Sequence, residues 1–193
     1  YFYSYIASIS YRVYLKFMSI KINYKSSSQV KNSSNLILFS DENYNISSLK
    51  KHFSVKEYSF IEDLLKTRDI KKKIQSFDIN SKKKIILISI RKNLKSSEVE
   101  NLGAKFYDQF KDSKHNEYCL NSDTASDKLK NIVGYFLHGL KLKSYSFEKY
   151  KTKKNIKKIS INIIGKNKPN ASNQLKFKSI EEGTFYARDL VSE

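Results

Sequence analysis

The sequence has no tryptophan and, in 193 residues, only one cysteine (Cys119), one proline (Pro169), one methionine (Met18) and five glycines. A lone cysteine excludes an intramolecular disulfide framework and suits a reducing compartment, so a cytoplasmic location is expected. The glycines (Gly103, Gly134, Gly139, Gly165 and Gly183) are scattered and form no G-x-G-x-x-G run, which leaves a dinucleotide-binding fold unsupported. Gly134 and Gly139 in "GYFLHGLK" imitate the opening of a phosphate-binding loop, but the Gly-Lys-Ser/Thr ending is absent and the segment has a helical pattern.

Arginine is scarce as well. Arg12, Arg68, Arg91 and Arg188 are the arginines among 37 basic residues, which stand against 19 acidic ones for a formal net charge of +18. Such an excess ordinarily suggests a nucleic-acid or anionic-membrane partner. Base-reading and phosphate-clamping surfaces favour arginine for its planar bidentate fork, however, and the abundance of Lys, Ile, Asn, Tyr, Phe and Ser is the bias of an AT-rich genome. Nucleic-acid binding is therefore expected to be weak and non-specific, acting through counterion release. A long apolar run is also lacking. The uncharged stretch from Tyr1 to Tyr11 is about half of the ~20 residues that a membrane span needs. No membrane partner is expected, and no small-residue cleavage pattern marks a signal peptide. Met18 is read as the start, with residues 1–17 a non-native or upstream extension.

What is present is enough apolar surface to fold: 39% hydrophobic and 13% aromatic residues, too much for disorder by composition. Ser19 to Tyr24 and Asn35 to Phe39 look like strands, and Phe60 to Lys73 has helical spacing. The unbroken "IILISI" run from Ile85 to Ile90 predicts a strand covered on both faces, as in the middle of a parallel sheet. Ser96 to Lys111 predicts a helix with Ser97 as cap and Val99, Leu102, Phe106 and Phe110 along one side. Glu117 to Leu120 reads as a short strand. Ala125 to Leu140 reads as a second strong helix that buries Leu129, Ile132, Val133, Phe136, Leu137 and Leu140, and Ile159 to Gly165 as an alternating strand. Strands separated by helices imply βαβ units with helices on both faces of a sheet. The polar stretch Lys166 to Asn173 is a linker, and a last helix runs from about Leu175 to the end, with Phe177, Ile180, Ala187 and Val191 as its apolar stripe.

No catalytic set emerges from this pass. His115 and Cys119 are four apart, but "HNEYC" enters a strand and no second ligand pair follows, which favours a structural or surface role over metal binding. His52 and His138 have no neighbouring nucleophile or carboxylate arrangement. "KTKK" at Lys151 is read as a solvated basic linker. The sequons at Asn32, Asn45 and Asn170 are chance matches in an Asn- and Ser-rich chain without a secretory signal.

Three stretches together resemble the leucyl aminopeptidase (cytosol aminopeptidase) family. "EEGTFYARDLVSE", Glu181 to Glu193, is similar to the family's helix E-G-x-x-x-A-R-D-L-V-N/S. "GLKLKSYSFEKYKTKK", Gly139 to Lys154, looks like the segment that closes the family's amino-terminal domain, and Ile85 to Phe106 is similar to its strand, turn and helix unit. One departure stands out: the family usually has glycines in the turn after that strand, where this chain has Ser89 and Arg91.

The resemblance implies a three-layer, macro-domain-like α/β amino-terminal domain with a mixed sheet, plus the first helix of a missing catalytic domain. On that reading residues 18–165 are the amino-terminal domain, and 166–193 are the linker and the truncated start of the catalytic domain. The implied parent is a homohexameric, cytoplasmic metalloaminopeptidase holding two divalent metal ions, Mn or Zn, in the catalytic domain, which is the first expected partner of this piece. No residue here is carried over as catalytic, metal-binding or substrate-binding; Arg188 and Asp189 match a structural helix. The alternative is a stand-alone basic macro-like module that binds nucleotide or nucleic acid.

Overall fold

The computed structural model describes residues 19–26, 35–125, 131–147 and 158–192. The expectations for residues 1–17, for Asn32, for Leu129 and for "KTKK" lie outside them.

Six strands form one sheet: β1 (Ile20–Tyr24), β2 (Asn35–Ser40), β3 (Ile74–Asp78), β4 (Lys84–Ser89), β5 (Glu117–Asn121) and β6 (Ile159–Ile164). Their order is β1-β6-β5-β2-β4-β3, parallel throughout except for β3, which runs antiparallel to β4. Helix α1 (Val55–Thr67) lies on one face, while α2 (Ser96–Phe110) and α3 (Ile132–Lys143) lie on the other. Helix α4 (Ala171–Ser192) packs outside α3.

The "IILISI" run behaves as its composition demands. Ile85 and Leu87 enter the core beneath α1, with Leu38, Ile61 and Phe77. Ile86 and Ile88 enter the core beneath α2 and α3, with Phe39, Phe106, Tyr118 and Phe136. No other arrangement of consecutive apolar residues on a strand, where side chains alternate, keeps all four from water. The aromatic rings of the second core meet mostly edge to face: Phe106 lies 5.7 Å from Phe136 and 5.4 Å from Tyr118 between centroids, geometry that favours the ring quadrupoles. By contrast β6, "ISINII", alternates and buries only Ile159, Ile161 and Ile163; on its other side Asn23 Nδ2 donates to Ser160 Oγ (3.2 Å) and Asn162 Oδ1 (3.1 Å).

Helices α2 and α3 touch through their backbones. A Cβ placed on Gly139 would stand 1.9 Å from Glu100 O, and one on Gly103 would stand 2.0 Å from Phe136 O. The second glycine of the loop-like "GYFLHGLK" thus serves helix packing.

Several boundaries differ from the sequence expectation. Helix α3 begins at Ile132 and not at Ala125, since Ala125 is extended and Asn131, just before the helix, is left-handed; helix α4 begins at Ala171, inside the stretch read as a linker. Helix α1 begins at Val55, five residues before Phe60, because Ser54 and Glu57 form a capping box: Ser54 Oγ accepts from Glu57 N (3.3 Å) and Glu57 Oε2 accepts from Ser54 N (2.9 Å). It ends at Thr67, leaving Lys71–Lys73 outside any helix and β3 as an unpredicted strand. The signal for β3 was a hairpin whose turn is held by Asn80 Oδ1, which accepts from Lys82 N (2.8 Å) and Lys83 N (2.9 Å). Helix α2 is capped at Lys95, with Glu98 Oε2 accepting from Lys95 N (2.9 Å), and Ser97 is not the cap.

Candidate functional site

The conspicuous polar cluster of the described chain lies between α3 and α4. Glu181, 3% exposed, accepts from Lys141 Nζ (2.8 Å) and is hydrogen-bonded to His138 Nδ1 (3.0 Å), itself buried. Phe177, one turn earlier, lies tilted against the His138 ring (5.0 Å) and meets Tyr135 edge-on (5.3 Å). One turn later Phe185 stacks on Tyr145 (5.4 Å), whose hydroxyl donates to Asp189 Oδ1 (2.6 Å). Partial burial, followed by that bond to Asp189, pushes the Tyr145 hydroxyl up to about 12. Arg188 Nη1 donates to Leu142 O (2.9 Å), and the guanidinium lies over the Tyr145 ring. Partial desolvation, with the Glu181 charge second, likewise raises Tyr24 to about 12, although the residue is 40% exposed.

Glu181, Arg188 and Asp189 of "EEGTFYARDLVSE" are therefore fasteners. Phe177, Glu181 and Phe185 recur every fourth position and so lie on one helix face, with Arg188 beside them. This corrects the stripe expected from sequence, since Ile180 and Val191 are 44% and 89% exposed. The hydrophobic periodicity missed the buried face because its central residue is a carboxylate.

On the opposite side, Leu175, Ile180, Tyr186, Leu190 and Val191 are all exposed. At 100° per residue they occupy a sector of roughly 160° that also contains Gly183, whose would-be Cβ meets nothing within 4 Å. Exposed Lys176 and Ser179 lie in the same sector, so it is a set of large apolar side chains interrupted by polar ones.

The histidines and the cysteine are placed apart. His115 is in the loop before β5, while Cys119 is buried within β5, where desolvation pushes its thiol up to about 11. His52 Nδ1 lies 3.3 Å from Asn121 Nδ2; burial, with Lys51 second, holds its imidazole below the usual value, and Asp123 opposes them. Among the described residues no three of His, Cys, Asp and Glu come together as a group able to hold a metal ion, and no helix is long and apolar enough to cross a membrane. Ser40 Oγ, Ser122 Oγ and His52 Nε2 are enclosed near the carboxyl ends of β2 and β5 without a hydrogen-bond partner among the described residues.

The turn after β4 needs no glycine in this chain. Positive φ among the described residues occurs at Tyr44, Asn131 and Gly165, so Ser89 and Arg91 carry no left-handed strain. Arg91 instead pairs with Glu98, at the first turn of α2.

A mixed six-stranded sheet with helices on both faces, and a further helix fastened outside α3, is a three-layer α/β fold. Solved structures that share it include a tomato leucine aminopeptidase mutant, with a TM-score of 0.64 at 17% identity over 90% of this chain and 38% of that one, and the cytosol aminopeptidase of Coxiella burnetii, with a TM-score of 0.55 at 12% identity over 88% and 33%. At these identities the likeness is one of fold, and it matches the amino-terminal domain of those enzymes. This chain spans 38% of the length of the first and 33% of the second. No family model and no curated protein matches the sequence.

Proposed function

We propose that this chain is the non-catalytic amino-terminal portion of a metal-dependent leucyl aminopeptidase, whose full-length form removes N-terminal amino acids from peptides in intracellular protein turnover. The fold likeness over 90% of the chain carries this reading. The exposed Leu175, Ile180, Tyr186, Leu190 and Val191 of α4 support it, because a helix fastened to its own domain along one side and carrying several large apolar side chains on the other is suited to lie between two bodies. On this reading α4 opens the catalytic domain, and that domain is its partner. Two divalent ions, Mn or Zn, would belong there too and would supply water activation and carbonyl polarisation; no group of the described residues of this chain is suited to hold them. The homohexameric assembly and the cytoplasmic location come with the same proposal.

Reading the coding DNA past Glu193 tests it directly. An in-frame proline-containing turn followed by carboxylate-rich metal-binding motifs is expected; a stop codon would favour the stand-alone basic module. The isolated chain should release no leucyl reporter with Mn²⁺ or Zn²⁺ added, and chelator-sensitive release would refute the non-catalytic assignment.

A further inference from the structure

Among the described residues strand β3 ends the sheet, and its outer edge carries the inference. Ser89 N donates to Lys73 O (2.9 Å) and Ile79 N to Lys83 O (3.0 Å), so Lys73 and Ile79 turn their backbone groups toward the β4 side. In an antiparallel pair that orientation alternates, so Gln75 and Phe77 share it, and Ile74, Ser76 and Asp78 turn theirs outward. None of these three has a backbone hydrogen bond on the outer side among the described residues. Three N–H and three C=O groups at two-residue spacing are a template for another strand.

Charge decides which strand fits. Exposed Lys71, Lys72 and Lys73 precede β3 and exposed Lys82 follows it, and none of the four forms a salt bridge among the described residues. Of the nearby carboxylates, Asp78 pairs with Lys84 (3.1 Å) and Glu57 with Lys83 (2.6 Å), while Asp69 Oδ1 accepts from the backbone N of Lys71 (2.9 Å), so none of the three is paired with these four lysine side chains. A second copy pairing antiparallel about a two-fold axis would bring Lys71–Lys73 of one chain beside Lys82 of the other, and like charges so placed repel. An extended segment of opposite charge meets no such penalty. We propose that the β3 edge is a docking site for an extended acidic segment of a partner protein, which adds as a seventh strand and sets its carboxylates among these lysines.

The probe is a blocked ten-residue peptide of alternating glutamate and valine, with a lysine-valine peptide as the charge control. Hydrogen exchange of the whole chain at saturating peptide should show new protection at Ile74, Ser76 and Asp78, the amides that point outward. Ser76→Pro should abolish binding yet keep the fold, since the N–H it removes faces away from β4. Reversing Lys71, Lys72 and Lys82 to glutamate should weaken binding at least about tenfold. Binding without protection at those three amides would reduce the lysines to a diffuse attraction and overturn the proposal, as would equal binding of the lysine-valine peptide. Sedimentation revealing a dimer that Ser76→Pro dissolves would assign the edge to a second copy instead. Should Ser76→Pro fail to fold, amide protection in the unaltered chain decides alone.

Discussion

Replacing Gly139 with alanine puts a carbon 1.9 Å from Glu100 O, against backbone that cannot swing aside as a side chain can. Ordinary contact begins near 3.4 Å, so α2 and α3 would have to part by roughly 1.5 Å locally, enough to forfeit a quarter or more of the dispersion attraction across the gap. The residues that lose contact are the core itself: Val99, Leu102 and Phe106 against Val133, Phe136 and Leu140. Overpacking of this kind costs about 1–3 kcal/mol and more where backbone is the obstacle, while the gain in helix propensity from Gly to Ala returns about 1 kcal/mol. A net loss of at least about 2 kcal/mol is expected, or roughly 4–8 °C in Tm for a chain of this size. Gly103→Ala, whose Cβ would lie 2.0 Å from Phe136 O, should behave alike. The double variant should cost less than the sum, because once the helices have separated the second methyl finds room. Gly183→Ala is the internal control: it is also in a helix, but faces open space, so it should stabilise by up to about 1 kcal/mol. Urea titrations followed by circular dichroism measure all four. Gly139→Ala within about 0.5 kcal/mol of the parent chain, or Gly183→Ala as damaging as Gly139→Ala, would refute the backbone-contact account.

Glu181→Ala leaves His138 Nδ1 and Lys141 Nζ facing an emptied buried site, and should cost about 3 kcal/mol. Hydrogen exchange should then quicken along α4 while β4 keeps its protection. Glu57 titrates below its usual value near 4.5: partial burial opposes the shift, but bonds from Lys83 and Ser54 to the carboxylate outweigh it. A depressed carboxylate pKa stabilises the fold above the unfolded value and loses that contribution as pH falls through the folded one. The stability gap between the parent chain and Glu57→Gln should therefore be widest near neutral pH and close below about pH 4.5 in acid titrations of unfolding; a gap that widens in acid would reverse the sign of the argument.

Local composition alone decided a good part of this molecule. Four consecutive apolar residues in a strand have nowhere to go but a doubly covered central position, so the place of Ile85–Ile88 was written in the run itself. Alternation in "ISINII" and the helical spacing of Val99, Leu102, Phe106 and Phe110 were equally legible, because each records which side of an element faces the core. The α/β class follows from that alternation of elements. Tertiary structure decided the rest, wherever a residue's role depends on a partner far along the chain. Gly139 has no evident task in a helical segment until Glu100 is found against it, and nothing local marks Glu181 as buried until His138 and Lys141 are found beside it. Strand β3 hid among lysines because its stability comes from pairing with β4, which no local propensity records. The two faces of α4 differ for the same reason. Both carry apolar residues, and only the packing of α3 determines that Phe177 and Phe185 are covered while Leu190 and Val191 are not.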